Sequence, residues 1–342
     1  MILATGPEDP AMLVQRYQIH GVGVEVQTSS DALSQLVHQC LFPYAVPALS
    51  RLDLKVELAE EKRDWLVPTQ ARCFLRYGAL RAFALDGWRY FTDYLSYLVV
   101  EPAGGLIRGY IADETLREQG ERFFQNLFFC LPLFEALRHH GLYFLHAAAL
   151  RSPEQEGYLF VANAYSGKTS LTLALIRQGF RYLSDDTVFL RNSPQGLEVL
   201  SWARAFHVPS ELSRVYPELA HLAARPDSSP FHPKKELAME EFYPERHITR
   251  LLNPQWLFFP ALTGEPVTRL EPLSSAQALP LLLPQSLSVM FDRGLAPEHL
   301  RALKLLLASA RSFRLWSGTD IKSDPPRLQA VLQKARGPGA ES

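Results

Sequence analysis

An α/β core over residues 141–342, preceded by an α+β region over residues 1–140, is the architecture the sequence predicts. Three observations predict it. The chain has 342 residues, beyond the length at which one hydrophobic core stops growing and chains divide. Residues 17–85 alternate strand-like runs with a single helical pattern, the mark of a small α+β unit. Residues 158–176 pass from aromatic and β-branched residues, through a turn of small residues, into a helical pattern.

In the N-terminal region the runs YQIHGVGVEV, LDLKVEL and ARCFLRYG read as strands, and SDALSQLVHQCL reads as a helix that Ser30 or Asp31 can cap. GWRYFTDYLSYLVVEP and GGLIRGYIAD predict two β-rich runs separated by a turn at Pro102–Gly105. From Thr115 to His140 the apolar residues return at helical spacing, predicting one long or broken helix. LYFLHAAAL, the polar turn SPEQEG and the strand after it predict a hairpin. Residues 212–246 carry Pro217, Pro226, Pro230, Pro233 and Pro244 and read as a mobile, lid-like segment. Beyond them WLFFPAL and RSFRLW are predicted strands, SAQALPLLL, PEHLRALKLLLASA and PPRLQAVLQKA predicted helices, and GPGAES a frayed tail.

Composition narrows the function. With 47% hydrophobic and 21% charged residues and a net charge of −1, the chain lacks the basic excess of a nucleic-acid binder. Cys40, Cys73 and Cys130 form no CxxC pair, which suits reduced thiols and a cytoplasmic location. MILATGPEDPAMLVQR has acids and prolines where a secretion signal needs a basic start and an apolar run. Phe123–Leu137, among the most apolar stretches, is interrupted by Gln125, Asn126, Pro132 and Glu135, so neither secretion nor a membrane span is expected.

The chemistry concentrates in YLFVANAYSGKTSLTLALI, residues 158–176. A phosphate-binding loop needs a strand to anchor it, small residues whose N–H groups can turn inward, and a helix N-terminus facing the anion. Ala162, Asn163, Ala164, Tyr165, Ser166, Gly167, Lys168, Thr169 and Ser170 supply these parts in order. In the GxxxxGK[ST] pattern the lysine, Lys168, neutralises the β- and γ-phosphates, and the hydroxyl, Thr169, takes a place on Mg²⁺. Ala162 stands where that pattern has its first glycine, and Tyr165 is bulky for a loop that wraps closely. Those two residues leave open an ordinary strand-to-helix turn with a solvated lysine.

A second element follows. FRYLSDDTVFL, residues 180–190, is predicted as a strand after a helix that ends at Gly179, with Asp185 and Asp186 in its middle. Adjacent carboxylates between Leu183 and Val188 are costly unless a cation satisfies them. One acid as metal ligand and its neighbour as general base is the natural division, with the order of the two open. Asp185 comes 17 residues after Lys168, room for one helix and a return to a neighbouring strand.

Together, GYLFVANAYSGKTSLTLALIRQGFRYLSDDTVFL resembles the core of HPr kinase/phosphorylase and the wider HPr-kinase-like set. The matching pieces are Gly167-Lys168-Thr169, Arg177-Gln178-Gly179 with one residue inserted, Ser184-Asp185-Asp186, and His146 one strand upstream, within residues 140–192. The family's EIRGxG stretch has no clear counterpart, although SWARAFHVPSEL offers Arg204 and Glu211, and its basic C-terminal loop is not recognisable beyond Lys234 and Lys235.

The resemblance implies a P-loop core of the HPr-kinase/phosphoenolpyruvate-carboxykinase type. It implies Asp185 as the base, Lys168 and Thr169 on phosphate and metal with Asp186, and His146 near the paired acids, where the alternative is a satisfied core histidine. The expected activity is ATP- and Mg²⁺-dependent phosphoryl transfer to a hydroxyl of a peptide, protein or small molecule. A nucleotide-binding scaffold without catalysis, or a phosphorylase or hydrolase running in reverse, are the alternatives. Nucleic acid and membrane are not expected partners, and a homo-oligomer is left open.

Overall fold

A computed structural model describes residues 12–60, 67–225, 227, 234–286, 294–324 and 326–336. Residues 1–11, Pro226, Pro230 and Pro233 of the proline-rich stretch, and the tail lie outside the described residues. The chain divides into two compact units, Met1–Leu142 and Tyr143–Ser342. Among the described residues no helix is long and apolar enough to cross a membrane.

The first unit is built on one sheet of eight strands: β1 (Leu13–Ile19), β2 (Val22–Thr28), β3 (Leu54–Ala59), β4 (Arg72–Tyr77), β5 (Leu80–Leu85), β6 (Trp88–Thr92), β7 (Tyr97–Val100) and β8 (Leu106–Tyr110). Their order is β1-β2-β3-β8-β7-β6-β5-β4. Helix α1 (Asp31–Leu41) starts at Ser30, whose hydroxyl accepts the Leu33 N–H at 3.2 Å. The stretch predicted as two β-rich runs holds three strands. Asp93 makes the extra break: its carboxylate accepts the Leu95 and Ser96 N–H groups at 3.0 and 2.7 Å and turns the chain. The helical pattern after it is interrupted as well. α2 (Asp113–Gln119) stops at Gly120, which has φ 82, and a π-helical turn at Phe124–Phe128 precedes α3 (Cys130–His139).

The second unit is organised around a six-stranded sheet. Its strands are β10 (Ala147–Arg151), β11 (Gly157–Val161), β12 (Arg181–Ser184), β18 (Trp256–Leu262), β19 (Arg269–Leu273) and β20 (Arg311–Ser317), in the order β12-β10-β11-β18-β20-β19. A four-stranded antiparallel sheet holds β9 (Tyr143–Leu145), β13 (Val188–Ser193), β14 (Gly196–Ser201) and β17 (Arg250–Leu252). β15 (Phe206–Pro209) and β16 (Lys234–Leu237) form a ribbon.

The large sheet is buried on both faces, and side-chain alternation assigns each residue to a layer. Tyr158 and Phe160 of β11, Phe258 of β18 and Phe313 of β20 pack with Leu171, Leu175 and Ile176 of α4 (Lys168–Arg177). Their neighbours Leu159, Val161, Leu257 and Phe259 pack on the opposite side with Leu303 and Leu306. That layer holds α5 (Ser275–Leu282), opened by a Ser274/Gln277 capping box, and α6 (Ala296–Ser309). α7 (Pro326–Gln333) covers the first face.

Three further expectations need correction. LYFLHAAAL is not one strand: it divides at His146, β9 pairing with β13 in one sheet and β10 with β11 in the other. Asp185 and Asp186 are not mid-strand either. β12 ends at Ser184 and β13 begins at Val188, so the acids occupy the corner where the chain changes sheets. Finally, the described parts of 212–246 are packed. Leu212, Tyr216, Leu219, Leu222, Leu237 and Met239 are buried in the core beside α4. The spacing of the first four is a helical stripe, and Pro217 and Pro244 start helical turns, where a missing N–H costs nothing.

Candidate functional site

The loop between β11 and α4 turns back on itself at Tyr165 (φ 64) and Gly167 (φ 89). The left-handed conformation falls there and not at Ala162, which explains how alanine can stand at the loop's start. Lys168 is the first residue of α4 and only 6% exposed. Its Nζ donates to the carbonyls of Ala162 and Asn163 at 2.6 and 3.1 Å. Ser166 Oγ reaches the same Asn163 carbonyl at 2.8 Å. Burial draws the Lys168 ammonium down to about 8, with Asp186 and Asp185 opposing that shift and Lys234 adding to it.

Thr169, one residue on, donates from Oγ1 to Oδ2 of Asp185 at 2.9 Å. Asp185 is 5% exposed. Burial, and then the charge of Asp186, push its carboxyl up to about 7 against the Thr169 hydrogen bond and Lys168. Asp186 behaves oppositely. Desolvation at the corner works against its ionisation, but half of its side chain meets solvent, and the His146 hydrogen bond with the charges of His146, Lys168 and Arg204 holds the carboxyl well below the usual range. Neighbouring acids pushed in opposite directions are the arrangement that separates an acid/base group from a permanent anion.

His146 reaches Asp186 because the chain leaves β9 for β10 at that residue. Its Nε2 lies 2.9 Å from Asp186 Oδ1, and its Nδ1 lies 2.9 Å from Oε1 of Gln285. The Ser184 hydroxyl shapes the corner from inside, accepting the N–H groups of Asp186 and Thr187 at 3.3 and 3.2 Å.

A cavity of about 510 Å³ opens above this floor. Ala164, Tyr165, Gly167, Lys168, Thr169 and Ser170 line it together with Asp185 and Asp186. Ala162, Asn163 and Ser166 do not line it: the carbonyls of the first two accept from Lys168, Ser166 bonds the Asn163 carbonyl, and His146 stands behind Asp186. An apolar wall comes from Leu171 and Ala174 of α4 and from Leu212, Val215 and Tyr216, and Glu211 and Lys234 also face the cavity. Lys234 Nζ lies 4.8 Å from the centre of the Tyr165 ring, a cation–π contact at the loop's tip. Lys235 points elsewhere, pairing with Asp227 at 3.0 Å.

The sequence reading missed two contributors. Gln285 lies just past the predicted helix SAQALPLLL, at the end of a 3₁₀ turn over Leu283–Gln285, and no spacing signals it. Ser317-Gly318-Thr319 forms one rim, where a Cβ on Gly318 would lie 2.7 Å from Val267 C and 2.9 Å from Glu265 O. Asp320 pins that rim by accepting the Thr268 N–H at 3.0 Å and pairing with Arg327 at 2.9 Å.

The oxygens of Thr169 and Asp186 are hard donors that suit Mg²⁺, which binds through one or two carboxylates and keeps its other positions for phosphate and water. The first N–H groups of α4 and the Lys168 ammonium suit an anion beside it.

No family model matches the chain, and no curated protein matches it. Among solved structures it is similar to the Hpr(Ser) kinase/phosphatase from Coxiella burnetii, with a TM-score of 0.31 and 12% identity, over 56% of this chain and 95% of that one. At that level of likeness the chemistry rests on the side chains described above.

Proposed function

We propose that the second unit is an HPr-kinase-like, P-loop phosphotransferase that uses ATP and Mg²⁺ to place a phosphoryl group on a hydroxyl of a peptide, protein or small molecule. The observation that carries this reading is the sharing of one cavity by the buried Lys168 ammonium, at a helix N-terminus, and the buried Asp185 carboxyl. Phosphoryl transfer asks a protein chiefly for positioning and charge neutralisation, with a base for the acceptor proton.

In this reading residues 162–170 hold the phosphates, Lys168 exchanging its carbonyl partners for phosphate oxygens. Thr169 and Asp186 would hold the Mg²⁺, which supplies charge neutralisation on the phosphates. Asp185 takes the acceptor's proton on Oδ1 while Thr169 holds Oδ2. A carboxyl pushed up to about 7 is well matched to that task, because a base works best with a pKa near the working pH. His146 keeps Asp186 anionic and aimed. The apolar wall takes the nucleoside or the acceptor's apolar body.

The hydrogen bonds from Lys168 to its own loop favour one rival, a nucleotide-binding scaffold that does not turn over. The deciding experiment is transfer of phosphate from Mg·ATP to a panel of peptide and small-molecule hydroxyls, with Asp185→Asn as control. Transfer that Asp185→Asn abolishes supports the kinase. ATP binding without transfer to any hydroxyl establishes the scaffold.

A further inference from the structure

Four hydrogen bonds run unbroken from the acid corner to the loop lysine. Asp186 meets His146 Nε2 at 2.9 Å, and His146 Nδ1 meets Gln285 Oε1 at 2.9 Å. Gln285 Nε2 donates to Asn163 Oδ1 at 2.5 Å, and the Asn163 carbonyl accepts from Lys168 at 3.1 Å. The His146 N–H also donates to the Gln285 carbonyl at 2.8 Å, which fixes the two backbones against each other. With Thr169 bonded to Asp185, the chain closes a ring of contacts around the cavity floor.

Gln285 is the residue on which this ring depends. It is 6% exposed, so bulk water does not replace either amide partner. Its amide presents an acceptor to one partner and a donor to the other. Glutamate of the same length lacks the donor, and methionine lacks both. The bond on one imidazole nitrogen sets what the other nitrogen can do.

We propose that Gln285 is a positioning residue that couples the phosphate loop to the acid corner. It orients the His146 ring toward Asp186 and, through Asn163, registers the loop that carries Lys168. An anion arriving at the loop draws Lys168 off the Asn163 carbonyl, and that change reaches His146 and Asp186 through the Gln285 amide. Only the rate readout below rests on the phosphotransferase reading.

The test uses the full chain without ligand. The ring ¹⁵N resonances of His146, assigned by their loss in His146→Ala, are expected to move in Gln285→Met. They are also expected to move in Asn163→Ala, a substitution at an exposed loop residue that makes no hydrogen bond to the His146 imidazole. In turnover assays Gln285→Met is expected to lower kcat roughly 10- to 100-fold, and His146→Ala/Gln285→Met to be no slower than His146→Ala, since residues acting through one another are not additive. His146 resonances that stay in place in both variants, or rate losses that multiply in the double variant, overturn the proposal. If the wild type transfers no phosphate, the kinase reading fails, while the resonances still decide the role of Gln285.

Discussion

Thr169 Oγ1 donates a 2.9 Å hydrogen bond to Asp185 Oδ2, joining the first turn of a helix to the corner where the chain passes between two sheets. That contact gives the two acids different surroundings. Asp185 is buried against a hydroxyl, whereas Asp186 is half exposed and held by His146.

Asp185→Asn is therefore expected to leave Mg·ATP affinity within about threefold while reducing transfer by about 10²- to 10⁴-fold, the usual worth of a general base. Asp186→Asn is expected instead to raise the Mg²⁺ concentration needed for activity, because an amide is a poorer ligand for a hard cation. Titration calorimetry and a turnover assay separate the two, and wild-type transfer by Asp185→Asn would show that the base is another group.

The same substitution changes stability with pH. The Asp185 carboxyl rises from its ordinary 3.8 to about 7 on folding, so the folded state favours its protonated form. Folding stability contributed by that proton is full below pH 3.8, declines as the pH climbs to about 7 and is absent above. Asparagine cannot ionise. In Mg²⁺-free buffer Asp185→Asn should match wild type near pH 3.5 and exceed it at pH 8 by on the order of 4 kcal/mol. Denaturant melts at both pH values check this, and a variant less stable than wild type at pH 8 would contradict the burial argument.

Lys168→Ala is expected to lower ATP affinity or turnover at least about tenfold and to leave the protein folded. Some binding should survive, since the N–H groups of the loop and helix remain. Unchanged affinity together with unchanged turnover would remove the phosphate-loop reading.

Leu222 is fully buried beside α4. Leu222→Ala is expected to cost about 2–4 kcal/mol, as for other core leucines. A loss near zero in denaturant melts would return the segment to the lid-like behaviour that its prolines suggest.

Much of the architecture was legible because it depends on local order. The strand, small-residue turn and helix at 157–177, the hairpin of β10 and β11, and the Ser30 cap follow from residue spacing and backbone chemistry. The proline-rich segment was misread because prolines drew attention away from the stripe Leu212, Tyr216, Leu219 and Leu222.

By itself the sequence determined that Lys168 and Thr169 open a helix after a strand, and that two adjacent carboxylates follow one helix later. Only the tertiary structure decided that these acids lie at a corner between sheets, with His146 behind one and Thr169 against the other. The same holds for Gln285, which is 139 residues from His146 and 122 from Asn163. Hydrophobic periodicity records which face of an element is buried, but not which distant element covers it. A lone glutamine ending a single 3₁₀ turn has no period at all, so its partners exist only once the sheets have packed.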